Sequence, residues 1–324
     1  MTSAINILGK SPALKALLCQ VKVIASTDAN VLISGETGTG KELITLSLQQ
    51  KSRRAKQAFI SLNCAALSPE LLESTLFGYM KGAFTSAEED TQGIIAAADG
   101  GTLFLDEINS LSLVLQAKLL RFIQNGEYLP VGSLNTLRAD VRIIAATNFP
   151  MLESIELGRF RADLYYRLSV FEVDLPPLRE RREDISLLLH HYLRYFATKY
   201  NLRTTVIKKD AIQELEKYAW PGNIRELRNL CENLTISKFN RMIGVEDLPV
   251  NYRKSVFKCH ALYLELPDEG LDWYKLEKSL LDQALKLAEG NVSQAADLLG
   301  LSRHALYYRI KKWGLNVNAE DTRF

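Results

Sequence analysis

Cysteine is scarce in this chain. No two of its four cysteines stand in a Cys-x-x-Cys pair, so the sequence lacks the spacing of a zinc ribbon and offers no disulfide framework. The adjacent Cys259 and His260 have no further metal ligands grouped with them, which disfavours a metal site there. We therefore expect reduced, mostly buried thiols. The four cysteines are Cys19, Cys64, Cys231 and Cys259.

Long apolar runs are also missing. No stretch of the 324 residues is long enough to span a bilayer, and the first residues do not form a secretory signal. Charge of one sign is not in excess either, because 40 Lys and Arg residues against 38 Asp and Glu residues leave a net charge of +2. The sequence thus predicts a soluble, cytoplasmic protein whose basic surface, where one exists, is local.

What the chain does have is a glycine-rich loop between a strand and a helix. The apolar residues 31–33 predict a buried strand, and residues 42–44 predict the start of a helix. Glycines let several N–H groups converge on phosphates, and the helix N-terminus adds its positive dipole end. Lys41 would reach the β- and γ-phosphates of a nucleotide. A glycine-rich surface turn is the alternative, but it leaves the spacing and the flanks unexplained. The loop comprises Gly35, Glu36, Thr37, Gly38, Thr39, Gly40, Lys41 and Glu42, with Glu42 where a serine or threonine is usual.

Two further predicted strands end in polar pairs. Residues 102–105 run into Asp106 and Glu107, an acidic pair that is costly beside a buried strand unless its charge is used. Asp106 is suited to hold Mg²⁺ through water, and Glu107 to polarise the water that attacks the γ-phosphate. The next strand ends in Thr147 and Asn148, which can hydrogen-bond that phosphate or that water. Together with the phosphate loop, these strand ends predict a nucleotide-hydrolysing site.

The first half of the chain alternates strand and helix patterns. This alternation predicts an α/β fold, a doubly wound and mostly parallel sheet with nucleotide at the carboxyl ends of its strands. A helix is predicted from 13 to 24 by apolar residues at helical spacing. The predicted strands are residues 31–33, 59–62, 102–105, 141–146 and 170–174.

The pattern changes after a proline pair at residues 176 and 177. We predict an α/β ATPase subdomain over 1–176, a helical lid subdomain over 177–250, a linker over 251–271 and a small all-α domain over 272–324. Residues 220–223 predict a turn within the lid. The lid helices are predicted at 182–200, 210–218 and 224–237.

The last segment has the spacing of a DNA-binding helix-turn-helix. Two predicted helices are separated by a tight turn at Gly300, and Ser302 can cap the second one. That second helix carries several basic residues, two tyrosines and no acid, which favours contact with DNA phosphates and bases. The alternative is an ordinary helical hairpin with a basic solvated face. The candidate DNA-binding residues are Ser302, Arg303, His304, Tyr307, Tyr308, Arg309 and Lys311.

Over residues 7–315 these motifs, in this order, resemble a known family. The chain is similar to the bacterial sigma-54-dependent transcriptional activators, enhancer-binding AAA+ ATPases of the NtrC type, with a Fis-type helix-turn-helix at the C-terminus. In that family the phosphate-loop lysine is typically followed by glutamate, which accounts for Glu42. Since the chain begins almost at the ATPase, the resemblance implies a member without an N-terminal regulatory domain, controlled in trans by another protein.

The resemblance also implies roles for residues that the pattern alone does not single out. Asn63 matches a switch residue that holds the catalytic glutamate, here Glu107. Arg161 and Arg167 match arginines that act in trans on a neighbouring subunit's nucleotide. Arg225, in the segment Trp-Pro-Gly-Asn-Ile-Arg, matches the second sensor. For either trans-acting arginine the alternative is a structural ion pair with a nearby acid such as Asp163.

One loop matches the segment with which the family contacts sigma-54. Phe84 and Thr85, the contacting residues, are present, but Ser86 stands where the family carries a glycine. Serine does not readily adopt the positive φ that glycine tolerates, so we expect a stiffer or differently bent tip. The candidate contact residues are Gly82, Ala83, Phe84, Thr85, Ser86 and Ala87.

The resemblance implies an ATP-dependent transcription activator with Mg²⁺ as its metal. Dimers would bind an upstream DNA element and assemble into a ring, a hexamer by analogy, and ATP hydrolysis would remodel the closed complex of sigma-54 RNA polymerase. One alternative is an AAA+-fold DNA-binding regulator that does not engage sigma-54, which Ser86 keeps open. Another is a different AAA+ machine, such as a helicase loader or unfoldase, which the helix-turn-helix argues against.

Overall fold

Five parallel strands form the central sheet of the protein. Their order across the sheet places the fourth strand in the middle, between the third and the first, and every pairing is parallel. The predicted doubly wound sheet is confirmed, and each strand lies within one residue of its predicted bounds. The strands are β1 (Val31–Ser34), β2 (Phe59–Asn63), β3 (Thr102–Asp106), β4 (Arg142–Thr147) and β5 (Phe171–Asp174), in the order β2-β3-β4-β1-β5.

The computed structural model describes residues 7–85, 87–238, 241–253, 272–288 and 290–313. Ser86, residues 254–271 of the predicted linker, with Cys259 and His260, and residues 314–324 of the predicted C-terminal domain lie outside these ranges. The chain divides into two units, residues 1–257 and 258–324. No helix among the described residues combines the length and the apolar character needed to cross a bilayer.

Helices make up most of the remaining regular structure of the first unit and the regular structure described for the second. Those of the first unit are α1 (Pro12–Ala25), α2 (Lys41–Gln50), α3 (Pro69–Phe77), α4 (Ile94–Ala97), α5 (Leu113–Asn125), α6 (Met151–Glu156), α7 (Ala162–Leu168), α8 (Glu183–Lys199), α9 (Lys209–Lys217) and α10 (Asn223–Ser237). Those of the second unit are α11 (Trp273–Leu287), α12 (Val292–Leu299) and α13 (Arg303–Trp313). Short two-stranded pairings join Gly78–Tyr79 to Thr91–Gln92, Glu127–Tyr128 to Leu137–Arg138, and Val206–Ile207 to Met242–Ile243.

Both faces of the sheet are buried, as the near-continuous apolar strands require. Successive residues alternate between the faces, so Leu32 packs in one core while Val31 and Ile33 pack in the other. Because every strand is parallel, all the carboxyl ends lie at one edge. In register, Asn63 is opposite Asp106 and Ser34 is opposite Thr147.

The lid has an apolar core of its own, built around Trp220. This indole is fully buried, its Nε1–H donates to the carbonyl of Leu215 (2.9 Å), and the rings of Tyr218 and Tyr252 pack against it. Helices α8, α9 and α10 supply most of the remaining core residues.

Over residues 272–288 and 290–313 the second unit has three helices, of which α12 and α13 flank a tight turn. Gly300 ends α12 with φ +64°, and Ala295 and Ala296 are almost completely buried where the helices pack. The predicted helix, turn and helix are confirmed. The Oγ of Ser302 accepts the N–H of Ala305 (3.2 Å), as an N-cap does.

A buried carboxylate ties the first helix of the chain to the lid. Asp184, in the first turn of α8, accepts the N–H groups of Lys10 (2.6 Å) and Ser11 (2.9 Å) and the hydroxyl of Ser11 (2.7 Å). The side chain is inaccessible to solvent. At Gly9 a Cβ would lie 2.9 Å from an Asp184 oxygen, so a side chain larger than hydrogen does not fit there.

Asp184→Ala is expected to lower the free energy of unfolding of the first unit by about 3 kcal/mol, because buried donors lose a charged acceptor. Glu183→Ala is the matched control, since Glu183 is an exposed acid in the same helical turn and its loss costs only about 0.5 kcal/mol. Urea denaturation of both variants measures the difference. Equal losses would show that the Asp184 contacts carry no special stability.

Candidate active site

The loop after β1 has the shape that its glycines predict. Gly35, Gly38 and Gly40 have φ of +150°, +79° and +106°, in the region that favours glycine. A Cβ at Gly38 would lie 2.5 Å from the carbonyl oxygen of Gly222, so that position admits no side chain. Gly40 directly precedes α2, which begins at Lys41. The loop therefore delivers its N–H groups and a helix N-terminus to one place.

A cavity of about 220 Å³ lies against this loop. Three cationic side chains, Lys41, Arg225 and Arg228, line it together with the carboxylates of Asp106 and Glu107. Cations beside backbone N–H groups suit a polyphosphate, and the two acids suit the metal and the water that accompany it. The remaining lining residues are Thr37, Gly38, Gly40, Glu42, Leu43, Tyr192, Ile224 and Asn229.

Lys41 lies over the loop that precedes it. Its Nζ donates to the carbonyl oxygens of Gly35 (2.7 Å) and Glu36 (3.2 Å). Burial lowers the pKa of this ammonium, and the charges of Asp106 and Glu107 oppose that shift. A phosphate in the cavity would offer charged acceptors that bind the ammonium more strongly than neutral carbonyls do.

The acidic pair lies at the carboxyl end of β3, half-buried. Glu107 has φ +53°, a left-handed conformation that is unusual outside glycine, and its N–H is bonded to Asp106 Oδ1 (3.0 Å). Backbone strain of this kind concentrates at functional positions. The left-handed conformation of Glu107 turns the chain sharply after β3, and both carboxylates line the cavity.

Asp106 fits the role of a magnesium ligand that acts with the nucleotide. Among the described residues, no group of three His, Cys, Asp or Glu side chains could hold a metal by itself. Mg²⁺ is normally held by one or two carboxylates, waters and the substrate phosphates, so a single half-buried aspartate beside a phosphate loop is a suitable site. Burial raises the pKa of the neighbouring Cys64 thiol to about 12, and the charge of Asp106 adds to this shift.

Thr147 and Asn148, the polar pair at the end of β4, contact different parts of the site. Asn148 lies next to the phosphate loop, where its Nδ2 approaches Thr37 Oγ1 at 3.4 Å. Its buried Oδ1 has no partner within the described part of the chain. Thr147 is fully buried, and its hydroxyl donates to Asn109 Oδ1 (3.1 Å). The structure thus brings Asn148 to the loop and gives Thr147 a supporting position behind it.

The lid reaches the phosphate loop through the start of α10. The N–H of Ile224 donates to the carbonyl of Gly38 (2.9 Å), and the following residue, Arg225, lines the cavity. The charge of Arg225 is one of the influences that lower the pKa of Lys41. The predicted second sensor therefore stands on the same cavity as the phosphate-loop lysine.

Next to the polar cavity lies an apolar one of about 220 Å³, which sequence reasoning missed. The two cavities share four lining residues, Gly40, Leu43, Tyr192 and Ile224, so they adjoin each other. Apolar walls with a few polar groups suit a flat aromatic base. The residues that line this apolar cavity come from segments far apart in the sequence. Their apolar spacing in the sequence indicated only that they pack in a core. The other lining residues are Ile7, Leu8, Leu14, Thr39, Ile44, Leu175, Arg181, Leu188 and His191.

Glu36 is an exception among the predicted nucleotide-binding residues. Its carboxylate accepts two hydrogen bonds from the guanidinium of Arg179 (2.9 and 2.6 Å) and one from the amide of Asn223 (3.1 Å). The hydrogen bonds from Arg179, and to a smaller extent the one from Asn223, hold the pKa of Glu36 below its usual value. The carboxylate is thus turned to the lid, and the participation of Glu36 in nucleotide binding as part of the loop stays a prediction.

The predicted switch residue, Asn63, ends β2 opposite Asp106. Its Oδ1 accepts the N–H of Ala65 (2.8 Å), and within the described ranges no hydrogen bond joins it to Glu107. Its placement beside the acidic pair agrees with the predicted role, while the contact itself stays a prediction.

Arg161 and Arg167 lie away from the nucleotide cavity of their own chain. Arg161 forms an ion pair with Asp163 (2.7 Å), and this pair raises the pKa of the arginine. Both side chains of the pair are more than two fifths exposed, which makes the pair weak and readily exchanged. Arg167 is exposed as well. Action on a neighbouring chain stays a prediction for both arginines.

The predicted sigma-54 loop is a compact turn within the described residues. Gly82 has a φ of +80°, and its N–H donates to the carbonyl of Ala87 (2.9 Å). The N–H of Ala87 in turn donates to the carbonyl of Phe84 (3.0 Å). Phe84 and Thr85 are exposed, Ala83 is half-buried and Ala87 is buried. Ser86 lies outside the described residues.

A second hairpin, missed by sequence reasoning, supports that loop. The N–H of Met80 donates to the carbonyl of Val131 (3.0 Å), and the N–H of Val131 donates to that of Gly78 (2.9 Å). Close to this contact, Leu134 is 98% exposed.

Helix α13 exposes most of the predicted DNA-binding residues. Ser302, Arg303, His304, Tyr308 and Lys311 are exposed, whereas Tyr307 and Arg309 are half-buried. Exposed basic and aromatic groups on one helix suit DNA phosphates and bases.

Arg309 has an internal role in the same unit. Its Nε donates to Glu277 Oε1 of α11 (3.1 Å), and its Nη1 donates to the carbonyl of Ala305 (3.2 Å). The ion pair fixes the position of α13 relative to α11.

Three family models match consecutive segments of the chain. Residues 7–174 match the sigma-54 interaction domain, residues 179–261 match an AAA+ ATPase lid domain, and residues 275–313 match the Fis family of bacterial regulatory proteins.

Individual relatives agree with these matches. The regulatory protein AtoC of Escherichia coli (strain K12) is 44% identical over 96% of this chain and 68% of its own length. The Nif-specific regulatory protein of Klebsiella pneumoniae is 45% identical over 94% of this chain but only 58% of its own length. NtrX from Brucella abortus, solved in complex with ATP, is 31% identical with a TM-score of 0.72, over 96% of this chain and 70% of that one.

Lys41→Ala is expected to weaken ATP binding about 10- to 100-fold, because the polyphosphate loses a charged donor. Lys51→Ala, at the opposite end of α2 and exposed, removes the same charge away from the cavity and should leave affinity unchanged. Calorimetric titration with ATP measures both. Wild-type affinity in Lys41→Ala would rule out the phosphate-loop assignment.

Proposed function

This chain belongs to the family of sigma-54-dependent transcriptional activators, and from that membership we propose that it is an ATP-driven activator that opens promoters bound by sigma-54 RNA polymerase. The observation that carries the proposal is the cavity in which Lys41, Arg225, Asp106 and Glu107 meet the phosphate loop. Such a protein works in the cytoplasm, where the polymerase is.

The proposed chemistry is hydrolysis of ATP. The polyphosphate would bind the loop N–H groups, Lys41 and Arg225, and the adenine base would occupy the adjoining apolar cavity. Glu107 would orient and polarise the attacking water, with Asn148 hydrogen-bonding the water or the γ-phosphate. A magnesium ion held through Asp106 would neutralise phosphate charge.

Assembly would complete the site. Phosphoryl transfer spreads negative charge over the equatorial oxygens, and an arginine from a neighbouring protomer can stabilise it. We assign this role to Arg161 and Arg167, which are exposed and lie away from their own chain's cavity. Because its ion-pair partner among the described residues is an exposed aspartate, Arg161 can leave Asp163 for a phosphate at little cost. The protomers would form a ring, a hexamer by family analogy.

Two further surfaces would connect the ATPase to its targets. The exposed Phe84 and Thr85 would contact sigma-54 and move with the nucleotide state, supported by the hairpin whose strands are Glu127–Tyr128 and Leu137–Arg138. Helix α13 would bind upstream double-stranded DNA, with dimers contacting paired half-sites.

A second candidate function rests on Ser86, which replaces a glycine of the sigma-54 loop. A chain whose loop did not fit sigma-54 would keep ATPase and DNA binding and act by occupying promoters.

Purified chain, sigma-54 polymerase and a supercoiled template separate the two candidates. The proposal expects open complexes with ATP and none with a non-hydrolysable analogue. Glu107→Ala should still bind ATP yet fail to open the promoter, because hydrolysis drives the step. Specific DNA binding without any ATP-dependent opening would favour the second candidate.

Arg303→Ala should weaken DNA binding and reduce the slope of log affinity against log salt by about 1, as expected for one lost phosphate contact. Lys286→Ala is the matched control, since it removes an exposed charge from α11. ATPase activity at high protein concentration should be unchanged in both. Equal salt slopes for Arg303→Ala and the wild type would contradict this DNA-binding surface.

A further inference from the structure

Asn223, which the sequence predicted only as part of a turn, has an unusual conformation. It is completely buried, it begins α10, and its φ is +50°. Its N–H donates to the carbonyl of Trp220 (2.9 Å) and closes the turn. A buried, left-handed residue other than glycine persists only where its surroundings require it, so its contacts need an explanation.

The side-chain amide of Asn223 joins three segments that are far apart in sequence. Its Oδ1 accepts the N–H of Leu178 (2.8 Å), and its Nδ2 donates to Glu36 Oε2 and to the carbonyl of Thr37, both at 3.1 Å. Only donors face the oxygen and only acceptors face the nitrogen, which fixes the orientation of the amide. Both of its donors and its oxygen are therefore in use.

This amide is part of a larger set of contacts between the lid and the phosphate loop. Asn223 donates to the carbonyl of Thr37, and the N–H of Ile224 donates to the carbonyl of Gly38 (2.9 Å). Nη2 of Arg181 donates to the carbonyl of Thr39 (2.7 Å). Three successive loop carbonyls are thus held by lid donors. Because these carbonyls are turned to the lid, the N–H groups of the loop are left for a ligand in the cavity.

The contact with Glu36 adds charge to this arrangement. The carboxylate is bound by the forked guanidinium of Arg179 and by the Asn223 amide together, so both lid residues hold the same loop side chain. Charge-assisted bonds are stronger than neutral ones and sensitive to geometry. The side chains of Arg179 and Glu36 are 40% and 42% exposed, so the ion pair itself is weak, and the amide bond from Asn223 adds a second contact to the same carboxylate at the start of the loop.

We propose that Asn223 is a positioning residue for ATP: its amide sets the shape of the phosphate loop and, two residues further on, the distance of Arg225 from Lys41. The amide does not touch nucleotide. It acts through Glu36 and Thr37 on one side and through the start of α10 on the other. This inference rests on the proposed binding of ATP in the cavity.

Asn223→Asp tests the inference, since a carboxylate of the same shape would face Glu36 and the Thr37 carbonyl, which are acceptors only. KM for ATP should rise about tenfold, the equivalent of one lost hydrogen bond to a charged group. Amide hydrogen exchange at Thr39, whose N–H is bonded to the carbonyl of Glu36, and at Ile224, whose N–H is bonded to the carbonyl of Gly38, should be faster without any nucleotide. A purely structural role would instead lower the active fraction, with reduced maximal rate and unchanged KM.

Asn201→Asp is the matched control. Asn201 also has a left-handed φ, +54°, but it lies exposed in the turn after α8, where its N–H bonds to Thr198. It should leave both readouts unchanged. Asn223→Gly keeps the backbone conformation accessible and removes the amide, so it should reproduce the effect of Asn223→Asp even if the aspartate variant folds poorly.

Unchanged KM and unchanged loop exchange in Asn223→Gly, or an equal effect of Asn201→Asp, would overturn the proposal. The exchange measurement needs no ATP, so it separates this inference from the proposed function. A wild-type chain that failed to bind ATP would refute the function, whereas slow exchange retained in Asn223→Gly would refute the positioning role.

Discussion

A phosphate loop can offer its N–H groups to a ligand only if its carbonyl groups are bound elsewhere. In this protein the lid binds them, through Asn223, the N–H of Ile224 and Arg181. The loop conformation is therefore a property of two subdomains and not of the glycines alone. A movement of the lid would change the loop, the position of Arg225 and the adjoining base cavity together. We infer that nucleotide binding and lid position are linked by this contact.

We propose that this chain carries one half of a hydrolytic site. Lys41, Arg225 and the acidic pair line the polar cavity, whereas Arg161 lies outside it, paired with Asp163. A bound ATP would meet positive charge from the loop and the lid on its own chain, with its far side open to a neighbour. In this proposal an exposed arginine that an exposed acid holds weakly, as Asp163 holds Arg161, can be released to act on a neighbour's nucleotide. Hydrolysis would then depend on assembly, and work on the polymerase would occur only where protomers meet.

Much of the fold and part of the site could be predicted from the sequence, because those features are local. Apolar runs give the strands, glycines give the phosphate loop, and the acids after β3 follow directly from their strand. The missed features depend on contacts between distant segments. The amide of Asn223 bonds to Glu36 187 positions away, and the base cavity combines residues as distant as Leu8 and Tyr192. Nothing in the local pattern around Glu36 indicates that its carboxylate faces the lid.

The rate of ATP hydrolysis per chain, measured as a function of protein concentration, tests the shared site most directly. The account predicts a very low rate where light scattering shows single chains and a steep rise as larger assemblies form, since the trans-acting arginines then reach the nucleotide. A constant rate per chain across that transition would contradict it, because a single chain would then possess the complete site.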